Sequence, residues 1–481
     1  MAGKYIENLY NNSPIWLQNI FVSGQGLLFR YRRANERIMR AQFEFLLKSQ
    51  HWTTAQFREY QGEQLRRLLR LAFQHVPYYR DLKEKLGCEP EDFKNPEDIR
   101  RLPILEKSQV RGQEHLFLNE TIDLKKCNKA FTSGTTGTPI NIYQTQEAFS
   151  RRWGFVIRLR KWAGLKDPLS PRRAQFTGRN IVPPGQDPQT QVYWRRNIPG
   201  HALLFSTTHI SPETVTHYAQ ALRDFGPVLI DGYPSALLVI VRVSRRLKIE
   251  LPKPQATIVS AETLFPEHRQ ELEEAFHCRV HNQFAASEPS CFWGDCEYGV
   301  MHESPEYGIS EIVDALGKPT PEGEPGEVLT TSFLNPVMVL VRYRLGDIAV
   351  KGSGAPCRCG RSMPRIERIE GRMDDILFVP GRGYMARVTP VFKGVPSIIE
   401  AQIIQEELDS ILVLLVPDSG YDQAMEDHLF RNLRAKLGQT VNIRVEKVTQ
   451  IARGPRGKFT TVISKVKHLY PDQVNLYENH I

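Results

Sequence analysis

The order of apolar and polar positions predicts alternating helices and strands over much of the chain. From Leu65 onward, apolar residues recur at helical spacing until Pro77, which cannot donate the next backbone hydrogen bond. Further along, helical stretches alternate with three short apolar runs, over residues 228–231, 256–260 and 279–284. Strands that alternate with helices in this way are typical of right-handed crossovers and a parallel sheet.

The pattern changes towards the C-terminus. Two alternating runs, over residues 327–333 and 337–344, predict strands of a more antiparallel region. The elements predicted after Arg372 are shorter: strands over 376–379, 411–416 and 441–448, a turn over 381–383 and a helix over 422–436. Together they predict a compact α+β unit of roughly a hundred residues, which is close to the usual size of a domain.

The length also indicates more than one structural unit, because single cores stop growing near ~250–300 residues and this chain has 481. Its content of 41% hydrophobic and 24% charged residues excludes disorder of the whole chain. We predict an α/β fold in which a large domain with parallel-rich sheets covers residues 1–373 and includes a helical N-terminal extension over 1–80. A small, mobile α+β domain would cover residues 374–481.

The net charge of +9 is concentrated in two segments. Residues 1–80 carry 12 Lys and Arg against 5 Asp and Glu, and residues 151–200 carry 11 against 2, so the remainder is acidic. A basic excess can mark binding to nucleic acid or to an anionic surface, but no recognised nucleic-acid-binding module accompanies it. We therefore expect no nucleic-acid partner, and we place the second segment near polyanionic small molecules.

The N-terminal segment keeps two interpretations open. The longest apolar runs fall far short of the ~20 residues that a membrane span needs, and no signal-peptide pattern opens the chain, so we predict a cytoplasmic protein. Within residues 15–48, apolar side chains precede the basic cluster Arg30, Arg32 and Arg33; they are Trp16, Ile20, Phe21, Leu27, Leu28 and Phe29. This segment is either a helix that caps the domain or a weak peripheral contact with the inner membrane surface.

The segment most informative about chemistry is FTSGTTGTPI, over residues 131–140. Its glycines allow a tight turn and close approach to a ligand, and its hydroxyls stand beside backbone N–H groups, which suits phosphate oxygens. The residues concerned are Thr132, Ser133, Gly134, Thr135, Thr136 and Gly137. The common phosphate-loop pattern G-x-x-x-x-G-K-[ST] is absent, and the alternative is an ordinary Ser/Gly/Thr loop.

The string resembles the phosphate loop of the adenylate-forming superfamily of acyl-CoA ligases, whose other blocks follow in the expected order over nearly the whole chain. The chain is most similar to the phenylacetate-CoA ligase branch and its relatives in capsular polysaccharide biosynthesis. This closer likeness rests on four strings, LAFQHVPYYR (71–80), IDGYPSALL (230–238), VSAETL (259–264) and CRCGR (357–361). The resemblance implies that ATP activates a carboxylic acid as an acyl-adenylate, with release of pyrophosphate. The acyl group would then pass to an acceptor thiol, expected to be coenzyme A, in cell-surface polysaccharide biosynthesis.

The resemblance also assigns roles to residues of the large domain. Phe284 would pack near the adenine, and Ser287 belongs to the same ATP- and AMP-binding set. Glu288 would hold Mg²⁺ against the ATP phosphates, a task that suits a hard carboxylate oxygen. Asp347 would accept both ribose hydroxyls, and Arg372 would contact the nucleotide.

Two further residues would serve the exchange between half-reactions. Asp374, at the predicted domain junction, would be the hinge about which the small domain rotates, and Lys458, in RGPRGKF (453–459), would be the catalytic lysine. A lysine there offsets the charge that develops when a carboxylate attacks the α-phosphate. Rotation would then withdraw Lys458 so that the acceptor can attack the acyl-adenylate.

Seven cysteines, an odd number, favour free thiols or a metal site over a disulfide framework. Cys296, His302, Cys357 and Cys359 make a complete tetrahedral Cys₃His set, and Gly360 permits a tight turn after the last cysteine. On spacing alone, core cysteines and a surface histidine explain these residues equally well. Resemblance to zinc-bearing members of the phenylacetate ligase branch favours a structural Zn²⁺, since four protein ligands leave no position for water.

By the same resemblance, the pocket for the small-molecule carboxylic acid falls on Tyr233, Pro234, Ser260, Ala261 and Glu262, although each residue could equally serve packing. Two alternatives to the thiol ligase stay open. One is an adenylating acyltransferase that acts directly on a sugar or a carrier protein. The other is a non-catalytic scaffold at the membrane periphery.

Overall fold

The computed structural model describes residues 2–32, 35–131, 140–176, 178, 181–183, 186, 188–372, 377–379, 383–385, 388–392, 394–395, 397–454 and 458–466. No helix within these residues combines the length and the apolar character needed to cross a membrane. The helices are α1 (Ala2–Asn11), α2 (Ile15–Arg32), α3 (Glu36–Ser49), α4 (Thr54–His75), α5 (Pro77–Leu86), α6 (Lys107–Val110), α7 (Gln146–Trp162), α8 (Val215–Phe225), α9 (Pro234–Arg246), α10 (Pro266–Phe276) and α11 (Gln423–Leu437).

The strands of the described residues form two larger sheets and two hairpins. Those before residue 300 are β1 (Asn128–Phe131), β2 (Asn141–Gln144), β3 (Arg173–Phe176), β4 (Trp194–Asn197), β5 (Ala202–Phe205), β6 (Leu229–Gly232), β7 (Ala256–Ser260), β8 (Val280–Ala285) and β9 (Phe292–Asp295). Those after it are β10 (Met301–Glu303), β11 (Gly308–Val313), β12 (Pro325–Ser332), β13 (Tyr343–Lys351), β14 (Arg365–Arg372), β15 (Leu377–Val379), β16 (Gly383–Met385), β17 (Ile398–Glu407), β18 (Ser410–Pro417), β19 (Asn442–Lys447) and β20 (Val462–Ser464).

One compact unit consists of Met1–Gly24, Ser170–Val280 and Glu370–Ile481. In it β7, β6, β3 and β5 run parallel in that spatial order, and β4 closes the edge antiparallel to β5. The helices α8 and α9 connect β5 to β6 and β6 to β7, and they bury apolar residues against the strands. The predicted alternation of parallel strands and helices is therefore confirmed.

A second sheet of the same unit has the strand order β19-β18-β17-β20. The central pair β17 and β18 is antiparallel, and each outer strand runs parallel to its neighbour. Helix α11 begins at the Asp422 cap, whose carboxylate accepts from the Met425 N–H, and buries Leu429, Leu433 and Leu437 against the sheet. The small α+β unit predicted from the sequence is present, with its helix and its strands near the predicted positions.

The other compact unit consists of Gln25–Leu169 and His281–Ile369. Its strands follow the order β11-β12-β13-β14-β10-β9-β8, with mainly antiparallel neighbours. Helix α4 starts at a capping box between Thr53 and Gln56 and ends at His75, before Pro77 as predicted. Its residues Leu65 and Leu69 are fully buried in the same core as the strand residues.

The strand predicted over residues 337–344 is wrong for its first part, because β13 begins only at Tyr343. Residues 337–341 are buried, but their backbone bonds to a segment much earlier in the chain. The Val337 carbonyl accepts from the Asn119 N–H at 2.8 Å, and the Val339 N–H donates to the Phe117 carbonyl at 3.0 Å. Arg342 then takes a φ of +49°, which breaks the extended conformation. A run that is buried throughout has the same apolar pattern whether or not it joins the sheet.

Candidate functional site

The predicted phosphate loop and the predicted hinge lie outside the described residues. They comprise Thr132, Ser133, Gly134, Thr135, Thr136, Gly137 and Asp374. The two strands that flank the loop, β1 and β2, pair antiparallel, with Phe131 opposite Asn141. The loop therefore joins the two strands of a hairpin, while its own contacts stay a prediction.

Glu288 lies in a buried position after β8, close to a tyrosine hydroxyl and a lysine. Its side chain is only 8% exposed, and its Oε1 lies 3.5 Å from the Tyr343 hydroxyl and 3.9 Å from Lys107 Nζ. A buried carboxylate is costly unless a cation or strong donors stand beside it. Lys107, from the short helix α6, is a residue that the sequence reasoning did not single out.

Glu288 and Asp347 come from separate sequence blocks, and both carboxylates affect the pKa of the buried thiol of Cys291. Burial is the main cause that raises the pKa of Cys291, and the carboxylates of Asp347, Glu303 and Glu288 raise it further. A carboxylate oxygen such as that of Glu288 is the kind of ligand that Mg²⁺ takes.

The other predicted nucleotide residues occupy half-buried positions. Phe284, on β8, stacks on its cross-strand partner Trp293, with ring centroids 4.6 Å apart and planes inclined by 29°. Ser287 follows in the loop before Glu288. Arg372 is the last residue of β14, and Lys458 lies close before β20.

The predicted acid pocket lies where β6 and β7 end. Tyr233 is buried, and its hydroxyl accepts a hydrogen bond from the Gly178 N–H at 3.0 Å, while Pro234 opens helix α9. Ser260 ends β7, and Ala261 takes a φ of +71°, a conformation that costs a residue with a Cβ. The carboxylate of Glu262 accepts hydrogen bonds from protein N–H and O–H donors.

Three sulfurs and an imidazole converge beside β10. The ligand atoms of Cys296, His302, Cys357 and Cys359 all lie within 4.8 Å of one another. The sulfurs of Cys296 and Cys357 are 4.0 Å apart. This is close to the ~3.8 Å between two sulfurs that are bound tetrahedrally to one zinc at ~2.3 Å. All seven cysteines are free thiols. The spacing is therefore that of a metal site rather than a disulfide.

The surroundings of the cluster also fit a metal. The Met363 carbonyl, 3.2 Å from His302 Nδ1, can accept its proton and leave Nε2 directed at Cys359 Sγ, 3.4 Å away. Burial lowers the pKa of His302 to about 4, so the imidazole is neutral, as a metal ligand must be. Burial and the neighbouring thiols raise the pKa of Cys296 to about 12, so three thiolates need a cation among them.

Two matching turns present the cysteines. The Gly299 N–H bonds the Cys296 carbonyl at 2.9 Å, and the Gly360 N–H bonds the Cys357 carbonyl at the same distance. Both glycines have positive φ, +77° and +74°. One turn joins β9 to β10 and the other lies between β13 and β14, so a metal would tie two segments of this unit that are far apart in sequence.

Comparison with known proteins identifies relatives of the chain. It is 27% identical over 467 residues to Protein CapK of Staphylococcus aureus, and the alignment covers 95% of this chain and 99% of CapK. It is 24% identical to the phenylacetate-coenzyme A ligase of Thermus thermophilus, over 83% of this chain and 93% of that enzyme. The chain is thus similar to CapK and to a phenylacetate-coenzyme A ligase over most of its length.

The likeness to CapK extends to the C-terminal part, because residues 380–465 match the family model of the CapK C-terminal domain. Among solved structures, 2-hydroxyisobutyryl-CoA ligase in the postadenylation state matches with a TM-score of 0.69, over 88% of this chain and 92% of that chain, at 18% identity. The predicted α/β fold with a C-terminal α+β part, and the resemblance to adenylate-forming ligases, are confirmed.

Several residues around these sites carried little or no signal in the sequence. Lys107 faces Glu288, and the Met363 carbonyl faces His302, although each pair is separated by many residues. Arg361 lies beside Cys359, pairs with Glu297 at 2.6 Å and stacks over the Trp162 ring at 4.6 Å. Only the position of Arg361 next to the CRCG string could have suggested a role.

Proposed function

We propose that the protein is an ATP- and Mg²⁺-dependent acid–thiol ligase that forms an acyl-adenylate, releases pyrophosphate and passes the acyl group to a thiol, with coenzyme A expected. The observation that carries the proposal is the buried carboxylate of Glu288, which lies near Lys107 Nζ and the hydroxyl of Tyr343, a residue of the same strand as Asp347. Homology with phenylacetate-coenzyme A ligases over most of the chain supports it. The fold match to a CoA ligase supports the large-domain assignment.

The residues of the proposed site divide the work of acid activation. Mg²⁺, when bound, would neutralise charge on the ATP phosphates, and Glu288 is the residue that would hold it, because its carboxylate is buried and offers a hard oxygen ligand. Asp347 would orient the ribose through its two acceptor oxygens. Phe284 would pack on the adenine, and Lys458 would offset the charge that develops at the α-phosphate.

The division into a large domain over residues 1–373 and a small domain over 374–481, with Asp374 as the hinge, belongs to the same proposal. The match of residues 380–465 to a separate C-terminal domain model supports a boundary near this position. A role in cell-surface polysaccharide biosynthesis is supported by the homology with CapK. The four-residue Cys and His cluster would hold a structural Zn²⁺, since it leaves no ligand position for water.

The proposal predicts that Lys458→Ala abolishes most acid activation. Pyrophosphate release from ATP and Mg²⁺, measured against a panel of carboxylic acids, is expected to fall by about 10²–10³-fold in this variant, the usual loss when one group that stabilises developing charge is removed. With the native protein and the acid that gives the most pyrophosphate, coenzyme A should also be consumed.

A matched control is Lys465→Ala, because Lys465 lies on the same C-terminal unit but is 57% exposed and pairs with Glu406 at the surface. Its rate should stay within about twofold of the native rate, as expected for the loss of an exposed ion pair. The ligase proposal is wrong if no acid in the panel raises pyrophosphate release above the level of the Lys458 variant.

A further inference from the structure

The carboxylate of Glu262 is held by donors from two distant segments of one compact unit. Its Oε2 accepts from the Ser235 N–H at 3.1 Å, and its Oε1 accepts from the Ser235 hydroxyl at 3.1 Å. The same Oε1 accepts from the Phe459 N–H at 2.8 Å. Ser235 is the second residue of α9, so the negative charge also lies at the positive end of a helix.

Arg453 anchors the same C-terminal segment from the other side. Its Nη1 donates to the Ser235 hydroxyl oxygen at 2.9 Å, and its Nη2 forms an ion pair with Glu400 in which both side chains are nearly inaccessible to solvent. The Ser235 hydroxyl therefore donates to Glu262 and accepts from Arg453. We call these four residues, with the Phe459 amide, the Ser235–Glu262–Arg453 network.

The network bonds Arg453 and Phe459, which lie on either side of Lys458 in the sequence. The Gly454 N–H bonds the Lys458 carbonyl at 2.9 Å, which closes the segment at its base. Next to this bond, the Arg453 guanidinium lies over the Phe459 ring at 5.1 Å. Residues 453 and 459 are thus held side by side, and each is bonded to the region where β6 and β7 end.

The rest of the contact supports the same alignment. Arg242, on α9, pairs with Glu271 at 2.9 Å and donates to the Ile399 carbonyl of β17 at 2.8 Å. Ile399 and Ile451 are buried in the same apolar cluster as α9 residues. These contacts hold β17 against α9, whereas Glu262 accepts from the N–H of Phe459, the residue after Lys458.

We infer that Glu262 is a positioning residue for Lys458 rather than a residue that contacts the acid. Through the Ser235–Glu262–Arg453 network it holds Arg453 and Phe459 in place. These two residues flank Lys458, which the network thereby positions for acid activation. The inference rests on the proposed function. Because the second half-reaction requires Lys458 to withdraw, the network must break for it, so Glu262 serves the first half-reaction only.

Hydrogen exchange tests the contact itself without any substrate. In Glu262→Leu, which offers no acceptor, peptides that contain Phe459 are expected to exchange at least ~10-fold faster, whereas peptides that cover β17 are unchanged. Glu262→Gln keeps one amide oxygen and should give an intermediate rate. Glu274→Gln is the control, because Glu274 is 57% exposed on helix α10, where it pairs with Arg245.

Kinetics separate positioning from a purely structural role. With the acid that best supports pyrophosphate release, Glu262→Leu should lower kcat for acid activation at least ~10-fold and leave KM for ATP within about twofold. Transfer from the synthetic acyl-adenylate of that acid to coenzyme A should stay within about twofold. Glu262→Gln should recover part of kcat, and thermal unfolding should show that both variants are folded.

Two results would overturn the inference. One is unchanged exchange of the Phe459 peptides in Glu262→Leu. The other is an equal fall of both half-reactions in a folded variant, which would mean a general structural role. If the native protein activates no acid, the proposed function fails, and the exchange result alone then decides whether Glu262 holds the segment.

Discussion

Purified protein is expected to carry about one equivalent of zinc, and joint replacement of Cys357 and Cys359 by serine is expected to remove it. Both sulfurs belong to the four-atom cluster within 4.8 Å, and loss of two ligands leaves an incomplete site. Structural zinc contributes ~10–16 kcal/mol to the folding of small zinc-binding peptides. In this larger protein we expect a loss of about 5 kcal/mol or more, which corresponds to ~10 °C or more in Tm.

Elemental analysis and thermal unfolding measure the two effects. Cys127→Ser is the matched control, because Cys127 lies in the same compact unit but outside the cluster, near Asp123. This variant should retain its zinc and unfold within about 2 °C of the native protein. Native protein without zinc, or a double variant that keeps it, would contradict a Cys₃His site.

Glu306→Gln is expected to destabilise the protein by about 3–5 kcal/mol, because it leaves the charge of Arg158 buried without its partner. The two side chains pair at 2.7 Å with exposures of only 1% and 0%. The Ser49 hydroxyl donates to the same Glu306 oxygen at 2.6 Å. Burial lowers the pKa of Arg158 from its usual value, while Glu306 acts in the opposite direction.

Chemical denaturation of three variants tests this prediction. Glu147→Gln is the control, since Glu147 pairs with Arg151 on the same helix α7 but both are about half exposed, and its effect should stay within about 0.5 kcal/mol. The double variant Arg158→Met with Glu306→Leu should recover most of the loss, because an apolar pair leaves no buried charge. A single variant as stable as the control would show that the pair is dispensable.

Most of the fold could be predicted from local patterns. The periodicity before Pro77, the runs that became β6 and β7, and the alternation around α11 each depend on which face is buried, and the sequence expresses that directly. The failure at residues 337–342 arose because that run is buried although it lies outside the named strands. Its backbone hydrogen bonds with Phe117 and Asn119 span more than 200 residues, where no local pattern reaches.

The candidate site was predictable only in part. The residues of the Cys and His cluster could be named as a possible ligand set, but their spacing alone left core cysteines and a surface histidine equally open, and the family resemblance favoured the metal site. The network around Glu262 could not be predicted, since Ser235, Glu262 and Arg453 stand far apart in sequence and each is an ordinary polar residue by itself. Only the fold brings the end of β7 to the segment that carries Lys458.

The compact unit that contains β3–β7 and β17–β20 is assembled from three separate stretches of chain, and this bears on how the protein is made. Strand β20 pairs with β17 and is translated after β17, β18 and β19. Until residue 464 has left the ribosome, one edge of β17 has no strand beside it, and open edges invite pairing with other chains. A chain that ends before residue 462 is therefore expected to aggregate during expression rather than yield a smaller active enzyme.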